Sequence, residues 1–277
     1  MRVGVGLPTT TPGADGALLV EWARKADAGP FSSLGVLDRL LYDSFDPFAS
    51  LAAAAAVTHR IRLATMIAIG PLRPAASLIK DAASVHALSQ GRLTLGLAIG
   101  ARGDDYEACG VPTKGRGARL SDQLAELRDW DVSPVVPGAI KDQRPELLVG
   151  GMSGAAFARM ARYGDGYAHG GGPPRAFQSA AAKALAAWSD LGRPGKPALW
   201  GQAYFALEDE AAGEEYLLDY YAFTGPFAAK IAAGNLTSPR AIRDFVRAYE
   251  EAGCDELVLL PTVADLGQLD RLAEVLA

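Results

Sequence analysis

Short apolar runs alternate with longer amphipathic ones along nearly the whole chain. Val3–Leu7, Leu34–Leu37, Ile61–Ile69, Leu93–Ile99, Leu147–Val149, Tyr167–His169, Ala198–Leu207 and Glu256–Leu260 read as strands. Ile61–Ile69 is apolar almost throughout, as a parallel strand covered on both faces should be. Between these runs the spacing predicts helices over Ala14–Ala28, from Asp46 to about Thr58, and over Ala75–Ser89, Gly115–Trp130, Ala155–Tyr163 and Pro174–Leu191. A longer helical stretch is predicted up to Ala233, then Ser238 to Gly253, then Leu266–Leu276. Asp46-Pro47 and Ser238-Pro239 each set a capping side chain before a proline suited to a first helical turn. Gly91 suits the residue just past a helix end.

A strand followed by at least one helix, repeated eight times, predicts parallel strands joined by right-handed crossovers. The expected class is α/β, and the regularity favours closure into a (β/α)8 TIM barrel over an open doubly wound sheet, with residues 1–277 as one domain. Composition agrees: apolar residues make up 49% and charged residues 21%, enough for a large core and a polar surface. The net charge of −5 argues against a nucleic-acid partner. No run of about 18 apolar residues is present, so no membrane span is expected. Cys109 and Cys254 are far apart and outside any CxxC spacing, and the N-terminus reads as a strand rather than a signal peptide, which together suggest a cytoplasmic protein. His59, His86 and His169 are too dispersed to suggest a metal site.

In such a barrel the loops after strands form the active face. Four strand ends carry candidate chemistry: Asp38-Arg39 with Tyr42 and Phe45, the run Gly100 to Gly110 with Tyr106, Gly150-Gly151-Met152-Ser153, and His169-Gly170-Gly171-Gly172. The glycines at Gly150, Gly151, Gly170 and Gly171 let backbone N–H groups approach an anion, and Ser153 precedes a helix whose dipole favours phosphate. A plain reading stands beside this one, in which Ser153 is only a helix cap and the glycines only turn.

Leu88 to Leu97, Asp105 to Gly110, Leu148-Val149-Gly150-Gly151, Gly164 to Tyr167, and the closing segment from Ser238 to Leu259 resemble the bacterial luciferase-like, flavin-dependent oxidoreductases, in order and over nearly the whole chain. The resemblance implies a barrel that binds reduced FMN or its deazaflavin analogue, coenzyme F420. It places the phosphate near Gly150, Gly151 and Ser153, with backbone from Gly100 and Ala101, and the ring against Ile67. It also implies a non-prolyl cis peptide at Met66–Ile67. Tyr42, Phe45 and Tyr106 are candidates for a substrate pocket, and Asp38, Arg39 and His169 for catalysis. His169, at a strand end, is expected to face the mouth, where it could relay a proton.

Two departures stand out. Arg39 occupies the place of the luciferase-type histidine after strand two, and an arginine cannot accept a proton at neutral pH. Either it holds an anion or it pairs with Asp38 to order the loop. The segment between Trp130 and Glu146 is short where relatives of this kind carry a strand or lid. The chain has no dinucleotide fingerprint after a strand, so a separate NAD(P)H-dependent reductase is the implied partner. Three functions follow: an FMN-dependent monooxygenase or oxidoreductase acting on a small organic substrate, an F420-dependent hydride-transfer enzyme, or a non-catalytic flavin-binding subunit. A homodimer is expected through the small-residue helix around Ala52–Ala56.

Overall fold

The computed structural model describes residues 1–277. Nine strand segments make one closed parallel sheet: β1 (Arg2–Gly6), β2 (Ser33–Val36), β3 (Arg62–Thr65), β4 (Ala68–Ile69), β5 (Leu93–Ala98), β6 (Glu146–Gly150), β7 (Gly166–Ala168), β8 (Ala198–Phe205) and β9 (Glu256–Pro261). β3 and β4 are two halves of the third barrel strand, and both pair with β5, which closes the ring into eight staves. The single run expected over Ile61–Ile69 is therefore interrupted, at a cis peptide between Met66 and Ile67. Closure confirms a (β/α)8 barrel.

Side-chain alternation divides each strand between two cores. Odd positions of β5 and β6 (Leu93, Leu95, Leu97, Leu147, Val149) join the layer between strands and helices. Ala64, Met66, Leu148, Ala168, Trp200 and Val258 instead meet inside the barrel. The helices that cover the outside start where capping chemistry places them. Asp46 accepts from the backbone N–H of Phe48 and Ala49, both at 2.9 Å, and Pro47 opens the helix Pro47–Val57. Ser238 caps Pro239–Glu251 in the same way, through Ala241. Each such cap satisfies N–H groups that have no partner within the helix.

Three segments differ from expectation. The loop after β5 contains a short helix, Gly103–Ala108. The long helix expected after β8 is broken into Glu210–Tyr220, a turn at Ala222–Thr224 and Phe227–Ala232, because Gly225 takes φ of +59° and Pro226 follows. The segment from Trp130 to Glu146 runs from a helix end back to the start of β6, on the barrel face opposite the mouth. There Val136 and Ile140 join the outer core, and the Trp130 indole N–H donates to the Ile140 carbonyl at 2.9 Å. Its shortness therefore does not open the mouth. No helix is long and apolar enough to cross a membrane.

Candidate active site

A cavity of about 320 Å³ opens at the C-terminal ends of the strands. Its floor is Met66, Ile67 and Ile69 of the third stave, with Ala98 and Ile99 from the end of β5. Leu37 and Asp38 enter from the β2 end, Gly100, Ala101 and Arg102 from the β5 end, and Gly151 from the β6 end. Tyr220, Tyr221 and Phe223 form the remaining wall.

The floor depends on two glycines. A Cβ added at Gly150 would lie 2.2 Å from Ile67 Cδ1, and one at Gly96 would lie 2.3 Å from the Thr65 carbonyl and 2.5 Å from Ile67 Cγ2. Real Cβ atoms do not approach this closely, so the Ile67 side chain lies in a notch that only glycine at both positions leaves open. Gly151, beside the notch, has φ of +121°, a conformation L side chains rarely adopt. Two residues on, Ser153 caps the helix Gly154–Tyr163 by accepting from Ala156 N–H at 3.2 Å. Gly154 and Ala155, the first two residues of that helix, are exposed.

Asp38 and Arg39 are not partners of each other. Asp38 accepts from the Ile69 N–H at 2.7 Å and from Arg73 at 2.6 and 3.2 Å, which fixes the β2 end to the β4 end. Arg39 reaches the short helix after β5, where it pairs with Asp104 at 2.8 Å and, more closely, with Asp105. Its side chain is 6% exposed and that of Asp105 is 0% exposed. Asp105 also accepts from the Leu41 N–H at 2.9 Å. Hydrogen bonding from Arg39 holds the Asp104 carboxyl below the usual carboxylate range. Arg39 thus closes a clasp with two carboxylates beside the cavity and does not line it.

Arg102 is the cation that does line it. Its guanidinium carbon lies 4.0 Å from the Phe223 ring centroid and 4.5 Å from that of Tyr220. It donates to the Tyr220 carbonyl at 2.5 Å, and no carboxylate forms an ion pair with it. Around this wall lies a cluster of tyrosines that the sequence reading did not single out. Tyr221 and Tyr204 share a hydrogen bond at 2.7 Å, and Tyr216 shares one with Thr10 at 2.6 Å. Burial pushes the Tyr221 and Tyr204 hydroxyls up, so both keep their protons far beyond neutral pH. A signal was present, since Tyr204, Tyr216, Tyr220 and Tyr221 fall within one strand–helix unit.

The other candidates lie elsewhere. His169 faces the helix layer, not the mouth: its ring packs edge-on against Phe177 at 5.6 Å, and its Nδ1 is 3.4 Å from the Tyr167 hydroxyl. Period-two alternation explains this, because Ala168 faces inward and its neighbours must face outward. Burial lowers the His169 pKa, so the ring is neutral at pH 7. Gly170 accepts from Gln202 at 3.2 Å, Gly171 lies against the Gln202 backbone, and neither lines the cavity. Phe45 borders a separate groove between the first two helices. Tyr106 is buried behind Ile69 and Leu72, and Tyr42 packs edge-on against Tyr220 while donating to Asp219 at 2.6 Å.

These features fit a flat conjugated ring with an anionic tail. The cavity is lined mostly by apolar residues, its floor is built around Ile67, and a glycine at positive φ beside a helix N-terminus marks one flank.

An uncharacterised protein of Mycobacterium tuberculosis is 30% identical over 195 residues, which is 58% of this chain and 67% of that protein. An F420-dependent secondary alcohol dehydrogenase, solved with an F420–acetone adduct, superposes with a TM-score of 0.80 at 16% identity over 99% of this chain and 97% of its own. The oxygenating constituent of 3,6-diketocamphane monooxygenase from Pseudomonas putida, solved with FMN, gives 0.74 at 15% identity over 100% and 98%. The sequence pattern of the luciferase-like monooxygenases matches residues 1–245, and the chain belongs to that family.

Proposed function

We propose that the chain is an oxidoreductase whose reaction takes place on a reduced flavin-type ring held in the mouth cavity, with a small organic molecule as substrate. The observation that carries this reading is the notch at Gly96 and Gly150, which seats Ile67 as the floor of an apolar cavity flanked by Gly151 and a helix N-terminus. Reduced FMN is the first cofactor, supplied by a separate NAD(P)H-dependent reductase. The ring supplies the reducing electrons, either to the substrate or, in the case of FMN, to O₂. The chain's own residues bind and orient. Ile67 and Met66 support the ring, backbone at Gly100, Ala101 and Gly151 with Ser153 receives the phosphate, and Tyr221 presents a hydroxyl that keeps its proton.

A second reading, hydride transfer with F420, is favoured by the exposed apolar rim. Leu40 is 48% exposed, Leu41 51% and Phe223 46%, so the mouth as it stands is open to water. Oxygen chemistry on a flavin depends on excluding water more than a direct hydride transfer does. We further propose a homodimer through the helix Pro47–Val57, whose Ala53 and Ala56 are exposed, and light scattering would then show a species heavier than 29.0 kDa.

Anaerobic titration of reduced FMN and of reduced F420 separates the readings. One of the two is expected to bind, and Gly151→Val is expected to weaken that binding at least about tenfold by blocking backbone approach. Binding of neither by the folded protein would sink the proposal.

A further inference from the structure

The two arginines that flank the cavity already have carboxylates. Arg39 is held by Asp104 and Asp105, and Arg73 by Asp38 and Asp46. Arg102 lines the cavity and is only 8% exposed, yet it forms no ion pair. A buried cation without a counter-ion is costly, and the faces of Phe223 and Tyr220 offset only part of that cost. Arg102 Nη2 donates to the Tyr220 carbonyl and the guanidinium also lies against the Tyr220 hydroxyl, but no carboxylate meets the rest of its edge. A planar fork seated over aromatic rings, with N–H groups at the edge of an apolar cavity, is suited to a planar anion such as a carboxylate.

We propose that Arg102 is the specificity determinant of this site, and that the substrate is a small organic acid whose carboxylate pairs with Arg102 while its apolar body lies over the Ile67 floor. This rests on the cofactor reading above for the identity of the cavity as the reaction site. The surrounding charges agree. The nearby acids Asp104, Asp105 and Asp38 are each paired with another arginine, and although Asp104 feels the Arg102 charge it forms no ion pair with it. The Tyr221 and Tyr204 hydroxyls are protonated at neutral pH and add no negative charge beside it.

The test compares two probes of one shape, benzoate and benzamide, by calorimetry on the purified protein with whichever reduced cofactor it binds, or on the protein alone if it binds neither. A charge-assisted, bidentate hydrogen bond predicts that benzoate binds roughly ten- to a hundredfold more tightly than benzamide. In Arg102→Met, which keeps an unbranched side chain against the rings, that preference is expected to disappear. In Arg102→Lys it is expected to persist in weakened form. Melting temperatures identify any variant that fails to fold, and Arg102→Gln then takes its place. Equal binding of the two probes, binding of neither, or a preference that survives Arg102→Met overturns the proposal. The anion could instead belong to the cofactor, and the same variants answer that. Cofactor affinity unchanged within about twofold in Arg102→Met supports a substrate anion. A loss as large as the loss of benzoate preference assigns Arg102 to the cofactor and overturns the substrate reading. Failure of the wild type to bind either cofactor defeats the cofactor reading alone, since the probe preference is still measured.

Discussion

Arg39 and Arg102 both follow strand ends at the mouth of one barrel, and both are largely buried, yet they are electrostatically opposite. Arg39 meets two carboxylates from the short helix Gly103–Ala108 and is neutralised, whereas Arg102, immediately before that helix, turns to the aromatic wall and keeps its charge available. Whether a strand-end cation can serve chemistry therefore depends on what the neighbouring staves present to it. The clasp also shows why a pair of adjacent opposite charges is a poor guide. Asp38 and Arg39 are neighbours in sequence, but they leave in different directions and join different staves.

The comparison breaks most decisively at Arg39. If Arg39 is a clasp, Arg39→Ala leaves Asp105 buried without its main counter-charge, and removing one partner of a buried pair costs about 3–5 kcal/mol. Chemical denaturation should show a loss of that order, with near-normal turnover in the fraction that remains folded. The double variant Arg39→Met with Asp105→Leu sharpens the point. Both charges leave together, and most of the lost stability should return. A variant that keeps its melting temperature and loses turnover would falsify the clasp and return Arg39 to the catalytic machinery.

Next in size is the glycine notch, which supports the cavity on which Arg102 borders. Gly150→Val would force a side chain into the space of Ile67 Cδ1. Overpacking of this kind costs about 1–3 kcal/mol, and the displaced floor should cost cofactor affinity as well. Gly170→Val is the control, because a Cβ there meets nothing within 4 Å. Equal loss of cofactor binding in the two variants would show that the ring lies elsewhere.

Arg102→Met should change stability much less than Arg39→Ala. It gives up the contacts with Phe223 and Tyr220 at a cost of about 1 kcal/mol, but it also relieves an unpaired buried charge. A thermal shift as large as that of Arg39→Ala would mean that Arg102 holds the wall together, and the contrast between the two arginines would collapse.

Much of this architecture could be read from the chain. Strand order followed from apolar runs of the right length, helix starts from Asp46-Pro47 and Ser238-Pro239, and the cis bond at Met66–Ile67 from the family resemblance. What could not be read was pairing at long range. Arg39 and Asp105 are 66 positions apart, and nothing local to either marks the other as its partner. The tyrosine wall was missed for a related reason. Its members lie on a strand and a broken helix that converge only after the barrel closes, and helical periodicity alone suggested an unbroken element there. His169 was legible but was read by the wrong rule. Its position at a strand end suggested the mouth, whereas its parity with Tyr167 places it among the helices.

His169 also supplies the smallest test, since it is a titratable group at a strand end that the fold keeps neutral. Its Nε2 is buried with no hydrogen-bond partner, and burial lowers its pKa, as it does for His86. The sign follows from linkage. In the unfolded chain a histidine takes up a proton as pH falls through about 6.5, while in the folded protein the lowered pKa delays that uptake. The unfolded state then binds more protons, so stability is full above that pH and declines as pH falls below it, until the folded pKa is reached. The denaturation midpoint should therefore drop between pH 7.5 and pH 5.5, and His169→Gln should drop less over the same interval, with His86 accounting for part of the remainder. Turnover gives the second readout. A neutral ring facing Phe177 has no path to the cavity, so the pH dependence of the reaction should be the same in His169→Gln as in the wild type. A rate limb that vanishes with the histidine, in a protein whose stability is unaltered, would place a proton-transfer group on the outer face of the barrel and would require a route from there to the cavity, whose lining does not include it.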